Sequence, residues 1–166
     1  MRLPVLALFL LVAATGAKAA ESGCDKFKWP LEHDRSLLLA ENRQILDSGT
    51  ILEALPSSAL QLALRPPAEV SFEKPPERAA KIDPSFAGVL KFPNLPKAGT
   101  YRISIDGEAW IDVIQGGAYV DAADFTGARD CPGLRKSVTF VLEAAPVTLQ
   151  FSGATAEKLG ILVTAP

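Results

Sequence analysis

From Gly99 onward, apolar and polar residues alternate with a period of two, and this pattern limits the fold more than any other feature. Such a period places successive side chains on opposite faces of a β-strand. Turn signals such as Asp106-Gly107 and Gly116-Gly117 recur about every ten residues between the alternating runs. Short strands at this spacing predict a mainly β fold, an antiparallel β-sandwich or jelly roll. The side chains expected to face its core are Tyr101, Ile103, Ile105, Val138, Phe140, Leu142, Val147, Leu149 and Phe151.

The two turn signals also predict two hairpins. Asp-Gly is a favoured hairpin turn, so residues 101–105 and 110–115 are expected to pair across Asp106-Gly107. Gly116-Gly117 predicts a second hairpin that leads into a strand at 119–123.

Residues 56–98 contain eight of the thirteen prolines. Because proline lacks a backbone donor, only short or edge strands fit between them. The candidates are Ala59–Leu64, Val70–Phe72 and Phe86–Phe92. The excursion Lys74–Pro84 is expected to be a solvated surface loop rather than a recognition peptide.

One short N-terminal helix is predicted before this region. Pro30 suits a first helical position, and apolar residues fall roughly on one face of 31–46. Asp47-Ser48-Gly49 ends the pattern, and the helix is expected to fill as little as half of that span.

Residues 1–19 have the layout of a secretory signal peptide. A positive start is followed by the 12-residue apolar run Leu3–Ala14 and by small residues, Ala17 and Ala19, before the cleavage position. Twelve helical residues rise only about 18 Å, which is too short for a hydrocarbon core of about 30 Å. Cleavage would leave residues 20–166 as a single β-sandwich domain in the periplasm or outside the cell. No later stretch is long enough to span a membrane.

Cys24 and Cys131 are the two cysteines of the chain, and both would survive cleavage. Export to an oxidising compartment therefore predicts a disulfide between them. Two free thiols or a metal-binding pair are the alternatives. A lipid-modified Cys24 is a further alternative, but Glu21-Ser22-Gly23 lacks the aliphatic residue expected before such a cysteine.

The segment Ala98–Ile105 resembles the Gly-Thr-Tyr strand of bacterial pre-peptidase C-terminal domains and jelly-roll carbohydrate-binding modules. Residues 146–153 match the strand that closes the sandwich in those modules. Over most of the mature chain, the runs 108–115 and 130–138 are similar to those of small uncharacterised exported bacterial β-sandwich proteins. The resemblance implies the fold and the export, but it implies no activity and transfers no carbohydrate-binding residue.

Charge and histidine content exclude several functions. The net charge is −2 and the chain has no basic run, which argues against a nucleic-acid partner. His33, the single histidine, lies among charged residues and is expected to be a solvated helix residue. Zinc sites with several histidines and two-histidine iron sites cannot be assembled from it, so no redox-metal activity is predicted. The sequence also lacks the G-x-S-x-G motif of serine hydrolases.

Carboxylates offer two further possibilities, although no cofactor is predicted. Ca²⁺ takes oxygen ligands, and the candidates for it are Asp121, Asp124 and Asp130. They lack the D-x-D-x-D-G spacing, so solvated turn aspartates are the favoured interpretation. A hydrolase would need two carboxylates in a cleft, for which Glu108, Asp112 and Asp121 are the candidates.

Trp110 allows two interpretations. It shares one strand face with Asp112, while Ile111 and Val113 occupy the other. The favoured expectation is that Trp110 fills the core. If it points outward instead, Trp110, Asp112 and Tyr119 form a candidate ligand-binding set. The predicted function is an exported, non-catalytic β-sandwich that binds a protein or ligand of the cell envelope, with a carbohydrate-binding module and a carboxylate hydrolase as alternatives.

Overall fold

Two β-sheets packed face to face form the body of the protein in the computed structural model, which describes residues 23–165. The predicted mainly β sandwich is therefore confirmed. The predicted signal peptide, residues 1–19, lies outside the described residues. In residues 23–165, no helix is long and apolar enough to cross a membrane.

The elements in chain order are a 3₁₀ turn (Gly23–Lys26), helix α1 (Glu32–Leu38), β1 (Gln44–Asp47), β2 (Thr50–Ile51), β3 (Leu60–Ala63), a second 3₁₀ turn (Pro67–Glu69), β4 (Phe86–Phe92), β5 (Gly99–Ile105), β6 (Trp110–Gln115), β7 (Ala118–Tyr119), β8 (Asp124–Gly127), β9 (Lys136–Leu142), β10 (Val147–Ala154) and β11 (Lys158–Thr164). The six-stranded sheet has the order β1-β3-β11-β5-β9-β8, and the five-stranded sheet has the order β2-β4-β10-β6-β7. Neighbouring strands are antiparallel except for the parallel pairs β1–β3 and β2–β4.

The core lies between the inner faces of the two sheets. All nine side chains expected to face inward belong to this buried cluster, which confirms the prediction from the period of two. The central strand β10 is buried on both faces through most of its length, because a segment of chain also covers its outer face.

The hairpin predicted across Asp106-Gly107 is wrong. Strand β5 pairs with β9 and β11, whereas β6 pairs with β10 and β7 in the other sheet. The Asp106 carboxylate accepts hydrogen bonds from the Gly160 backbone N–H and from Arg43, each at 2.7 Å. These bonds hold a corner at which the chain passes from one sheet to the other. The hairpin at Gly116-Gly117 is confirmed, since both glycines have positive φ and β6 pairs with β7 across them. The strand predicted at 119–123 is wrong in extent, because β7 ends at Tyr119.

The proline-rich region also differs from expectation. Strands β3 and β4 form where predicted, but Val70–Phe72 is not a strand. Residues 73–80, named the strap here, run across the outer face of the five-stranded sheet. The backbone N–H groups of Glu73 and Lys74 donate to the side-chain oxygen of Gln150 instead of to a strand. The beginning of the predicted solvated loop is therefore anchored to the sheet.

The N-terminal segment packs on the outer face of the six-stranded sheet. The predicted disulfide between Cys24 and Cys131 is confirmed. Around it lies a second buried cluster of Leu31, Leu38, Ala59, Ala128, Cys131, Leu134 and Leu162, against which Phe27 and Trp29 pack. Helix α1 has seven residues, about half of the span that the pattern allowed, because β1 begins at Gln44.

Candidate ligand-binding cleft

Trp110 lies on the outer face of the five-stranded sheet, so the favoured expectation that it fills the core is wrong. Ile111 and Val113, its neighbours in β6, take the core positions. The Trp110 side chain is half-buried, and its indole Nε1–H donates to Asp112 Oδ1 at 2.6 Å. The alternation therefore places Trp110 and Asp112 together outside the core.

Asp112 is buried and holds both Trp110 and the strap by hydrogen bonds. Besides the indole, it accepts the backbone N–H of Glu77 at Oδ2, at 3.3 Å. Burial raises the pKa of Asp112, and the hydrogen bonds from Trp110 and Glu77 partly oppose that rise. Since each carboxylate oxygen already accepts a hydrogen bond, Asp112 positions Trp110 and the strap.

Three further side chains of the sheet hold the strap. Gln150 accepts from two strap amides and donates to the Lys74 carbonyl at 2.9 Å. The Thr148 hydroxyl donates to the Glu73 carboxylate, and the Tyr119 hydroxyl donates to the Pro75 carbonyl. Tyr119 is thus a strap contact, separated from Trp110 by Asp112. The structure brings the three predicted ligand-binding residues to one face, but only Trp110 lines a cavity.

Basic residues cluster near Trp110, and two of them lie over its indole ring. The Arg78 guanidinium lies 3.9 Å from the ring centroid, and the Lys136 ammonium lies 5.5 Å from it. Both distances are within the range of cation–π contacts. Arg135, next to Lys136 in the chain, forms an ion pair with Glu108.

A cleft of about 450 Å³ opens between the sheets beside this cluster. Its apolar wall comes from both sheets and from the chain between them: Ile111, Val120, Phe125, Val138 and Phe140. Phe125 pairs with the core residue Val138 in register, so it faces inward, yet its side chain is 64% exposed. Because β7 has only two residues, little of the opposite sheet covers Phe125. The cleft between Phe125 and Trp110 therefore reaches the edge of the hydrophobic core, where Ile111, Val138 and Phe140 remain buried and Phe125 is the exposed apolar side chain.

A second cavity of about 390 Å³ lies on the other side of the indole. The two cavities share four lining residues, which are Arg78, Trp110, Arg135 and Lys136. The basic residues thus stand at the junction of the two cavities, while the apolar wall belongs to the larger one.

Acidic residues gather on the strap side of the cleft. Desolvation raises the pKa of Glu77, and the charges of Asp112 and Asp121 raise it further. Glu108, a candidate for the hydrolase, is engaged by Arg135 instead. No two of the carboxylates Asp112, Asp121 and Glu108 therefore face each other as an open catalytic pair.

The candidate Ca²⁺ ligands are dispersed. Asp124 bonds to Lys28 and Asp130 bonds to Lys26, and each lysine lowers the pKa of its carboxylate partner. Asp121 lies at the rim of the cleft. Within the described range, no three His, Cys, Asp or Glu side chains are grouped to hold a metal ion.

Lys136 is the most strongly perturbed basic group of the site. Burial lowers the pKa of its ammonium from an ordinary value of 10.5 to about 8, and the charges of Arg135 and Arg78 lower it further. Glu108 and Asp112 oppose that shift. Between pH 8 and 10.5 the unfolded chain binds more protons at this residue than the folded protein, so the free energy of unfolding rises with pH there.

We expect Lys136→Met to stabilise the protein by roughly 2 kcal/mol at pH 7, because the variant no longer buries a charge. It should also lose the rise in stability between pH 8 and 10.5. Urea unfolding at several pH values measures both effects. Lys158→Met, which replaces an exposed lysine of β11, is the control and should change stability by less than about 0.5 kcal/mol. A less stable Lys136→Met protein at pH 7 contradicts the expectation.

Sequence reasoning did not identify Arg78, Phe125, Arg135 or Lys136 as site residues. They come from the strap, β8 and the start of β9, which pattern alone does not bring together. One signal was present, since the basic pair Arg135-Lys136 stands directly before an alternating run, with Lys136 as the first residue of β9.

No protein-family model, curated protein or solved structure matches the chain.

Proposed function

We propose that this protein is an exported, non-catalytic β-sandwich that binds a ligand of the cell envelope in the cleft between Trp110 and Phe125. The observation that carries the proposal is the opening in the sandwich edge, where inward-facing apolar side chains of both sheets line a cavity of about 450 Å³. Cavities of roughly 300–1,000 Å³ with apolar walls and a few polar groups are typical ligand sites.

The polar groups of the cleft support binding rather than catalysis. Asp112 is occupied by the indole and by the strap, and Glu108 is occupied by Arg135. A hydrolase would need one free carboxylate beside a second one across the scissile bond. Glu77 is the acidic residue of the cleft nearest to such a role, but its carboxyl group interacts with that of Asp112, which is buried and does not line the cleft.

A carbohydrate-binding module is the second candidate, because Trp110 lies outside the core and lines both cavities. A sugar ring would stack on a face of the indole, and the Arg78 guanidinium already lies 3.9 Å from that ring. Stacking of a sugar would have to displace this cation–π contact on at least one face. The apolar cleft is therefore the favoured site.

Nile red, an uncharged dye whose emission increases in apolar surroundings, tests the cleft directly. We expect saturable binding to the folded protein. Phe125→Ser should weaken it about tenfold or more, because an aromatic contact worth at least about 1.4 kcal/mol is removed. Val141→Ser is the matched control, since Val141 is 60% exposed on β9 but does not line the cleft. It should leave the affinity within about twofold.

Absence of saturable dye binding, or equal losses in both variants, would contradict the proposal. Oligosaccharides of glucose and N-acetylglucosamine are titrated in parallel. Binding of these sugars that is lost in Trp110→Ala and retained in Phe125→Ser would overturn the apolar site in favour of the carbohydrate-binding module. Turnover of nitrophenyl glycosides that is lost in Glu77→Gln would overturn the non-catalytic assignment.

A further inference from the structure

We infer that the ligand of the cleft is a single-chain acidic lipid, with its apolar chain against Phe125 and its anionic headgroup at Lys136 and Arg78. This inference rests on the proposed function and adds the chemical class of the ligand. Two properties of the cleft define this class: the distribution of charge along it, and the partners that its charged side chains already have.

Basic and acidic side chains occupy different parts of the cleft. The carboxylates whose charges act on Lys136 are those of Glu108 and Asp112. Those that act on Glu77 are the carboxylates of Asp112 and Asp121. Arg78, Arg135 and Lys136 thus lie at the junction of the two cavities, whereas Glu77 and Asp121 line only the larger one, where the charge of Arg78 lowers the pKa of Glu77. An amphipathic anion would place its headgroup at the basic junction.

The charged side chains around the cleft differ in whether they already have a partner. Glu108 pairs with Arg135, and both oxygens of Asp112 accept hydrogen bonds from other groups. Among residues 23–165, no carboxylate lies within ion-pair distance of Lys136 or Arg78. Lys136 is nonetheless half-buried, and its ammonium lies 5.5 Å from the centroid of the indole. A partly desolvated cation without an ion-pair partner is unfavourable, and an incoming anion would supply the missing partner.

An apolar wall lies beside Lys136 and Arg78. Ile111, Val138 and Phe140 belong to the hydrophobic core and also line the cleft. Phe125, which is 64% exposed, is the part of the apolar wall that a small inorganic anion would leave uncovered and an alkyl chain would cover. Apolar wall and basic junction together select a ligand that carries both an alkyl chain and a negative headgroup.

Displacement of bound Nile red by three ten-carbon probes tests the headgroup. The probes are decanoate, 1-decanol and decyltrimethylammonium, which share the chain and differ in charge. At pH 7 we expect decanoate to bind at least about tenfold more tightly than decanol, and decyltrimethylammonium to bind most weakly. Lys136→Met should reduce the preference for decanoate severalfold, with Arg78 retaining the rest, Lys136→Arg should keep it, and the control Lys158→Met should not change it.

The pH dependence provides a second measurement on the same probes. Lys136 carries its charge below pH 8 and loses it above, in an environment of Arg78, Arg135, Glu108 and Asp112. The preference for decanoate over decanol should therefore decrease between pH 7 and 9.5 in the wild type and stay flat in Lys136→Met.

The outcomes separate the two proposals. If Nile red does not bind, the cleft is not a ligand site and the proposed function fails. If Nile red binds and decanoate displaces it no better than decanol, only the acidic headgroup is wrong. A preference for decanoate that is undiminished in Lys136→Met would also overturn the assignment of the headgroup to this junction.

Discussion

Replacement of both Cys24 and Cys131 by serine is expected to lower the free energy of unfolding by about 3–5 kcal/mol. The two cysteines are 107 residues apart in the sequence. In the chain-entropy model, closing a loop of about 100 residues restricts the unfolded chain by about 4.7 kcal/mol. The expected loss is a large part of the 5–15 kcal/mol that stabilises a typical domain.

Urea unfolding of the wild type and of the double-serine variant measures this loss. The double variant is used because a single replacement would leave a reactive thiol. If the disulfide acts on the unfolded state, its removal should increase the urea m-value, since the unconnected chain exposes more surface. Reduction of the wild-type protein should give the same loss. A decrease below about 1 kcal/mol would contradict the expectation.

The side chains that face the core could be predicted from the sequence, because one physical rule determines them. A strand that buries one face must repeat its apolar residues with a period of two, and residues such as Ile103 and Phe140 obey that rule without exception. The disulfide could be predicted for a similar reason, since two cysteines allow one pairing.

The partner of each strand could not be predicted in the same way. Asp106-Gly107 correctly indicates that the chain turns, but a turn signal does not say which sheet the next strand joins. Here the decision depends on the hydrogen bond from Gly160, which comes 54 residues later in the sequence, and on the ion pair with Arg43. Contacts of this range leave no local pattern.

The site was only partly predictable, because its residues also come together through contacts between distant parts of the chain. The outward position of Trp110 followed from Ile111 and Val113 facing the core, and the alternation already contained that possibility. The anchoring of the strap depends on Gln150, a polar residue that is fully buried in a central strand. Buried polar side chains need hydrogen-bond partners, so Gln150 was the one local sign that another segment covers this face. The basic junction combines the strap with β9, and no periodicity links the two.

Asp34→Asn is expected to destabilise the protein by about 3 kcal/mol, near the lower end of the effect of breaking a buried ion pair. Asp34 projects from α1 onto the six-stranded sheet and is almost completely buried. It accepts from Arg102 at 2.8 and 3.1 Å and from the Ser104 hydroxyl at 2.6 Å. The Asn amide would place donors against these donors and leave the guanidinium without a counter-charge. Arg102 keeps 30% of its side chain exposed, so water compensates part of the loss.

Asp47→Asn is the matched control, because Asp47 forms an exposed ion pair with Arg65 at 3.5 Å. It should change stability by less than about 1 kcal/mol, as surface pairs usually do. Urea unfolding measures both variants, and similar losses in the two would contradict the special role of Asp34.

The double variant Asp34→Leu with Arg102→Leu shows what the pair contributes. Helix α1 has only seven residues and lacks a side-chain N-cap, so it depends on its contact with the sheet. If the cost of the single variant comes from a charge left without its partner, removing both charges should restore most of the lost stability. Without Asp34, the single hydroxyl hydrogen of Ser104 could turn to the Ser137 hydroxyl, 2.9 Å away, which limits the polar groups left unsatisfied. A double variant as unstable as Asp34→Asn would show instead that the ion pair itself holds α1 on the sheet.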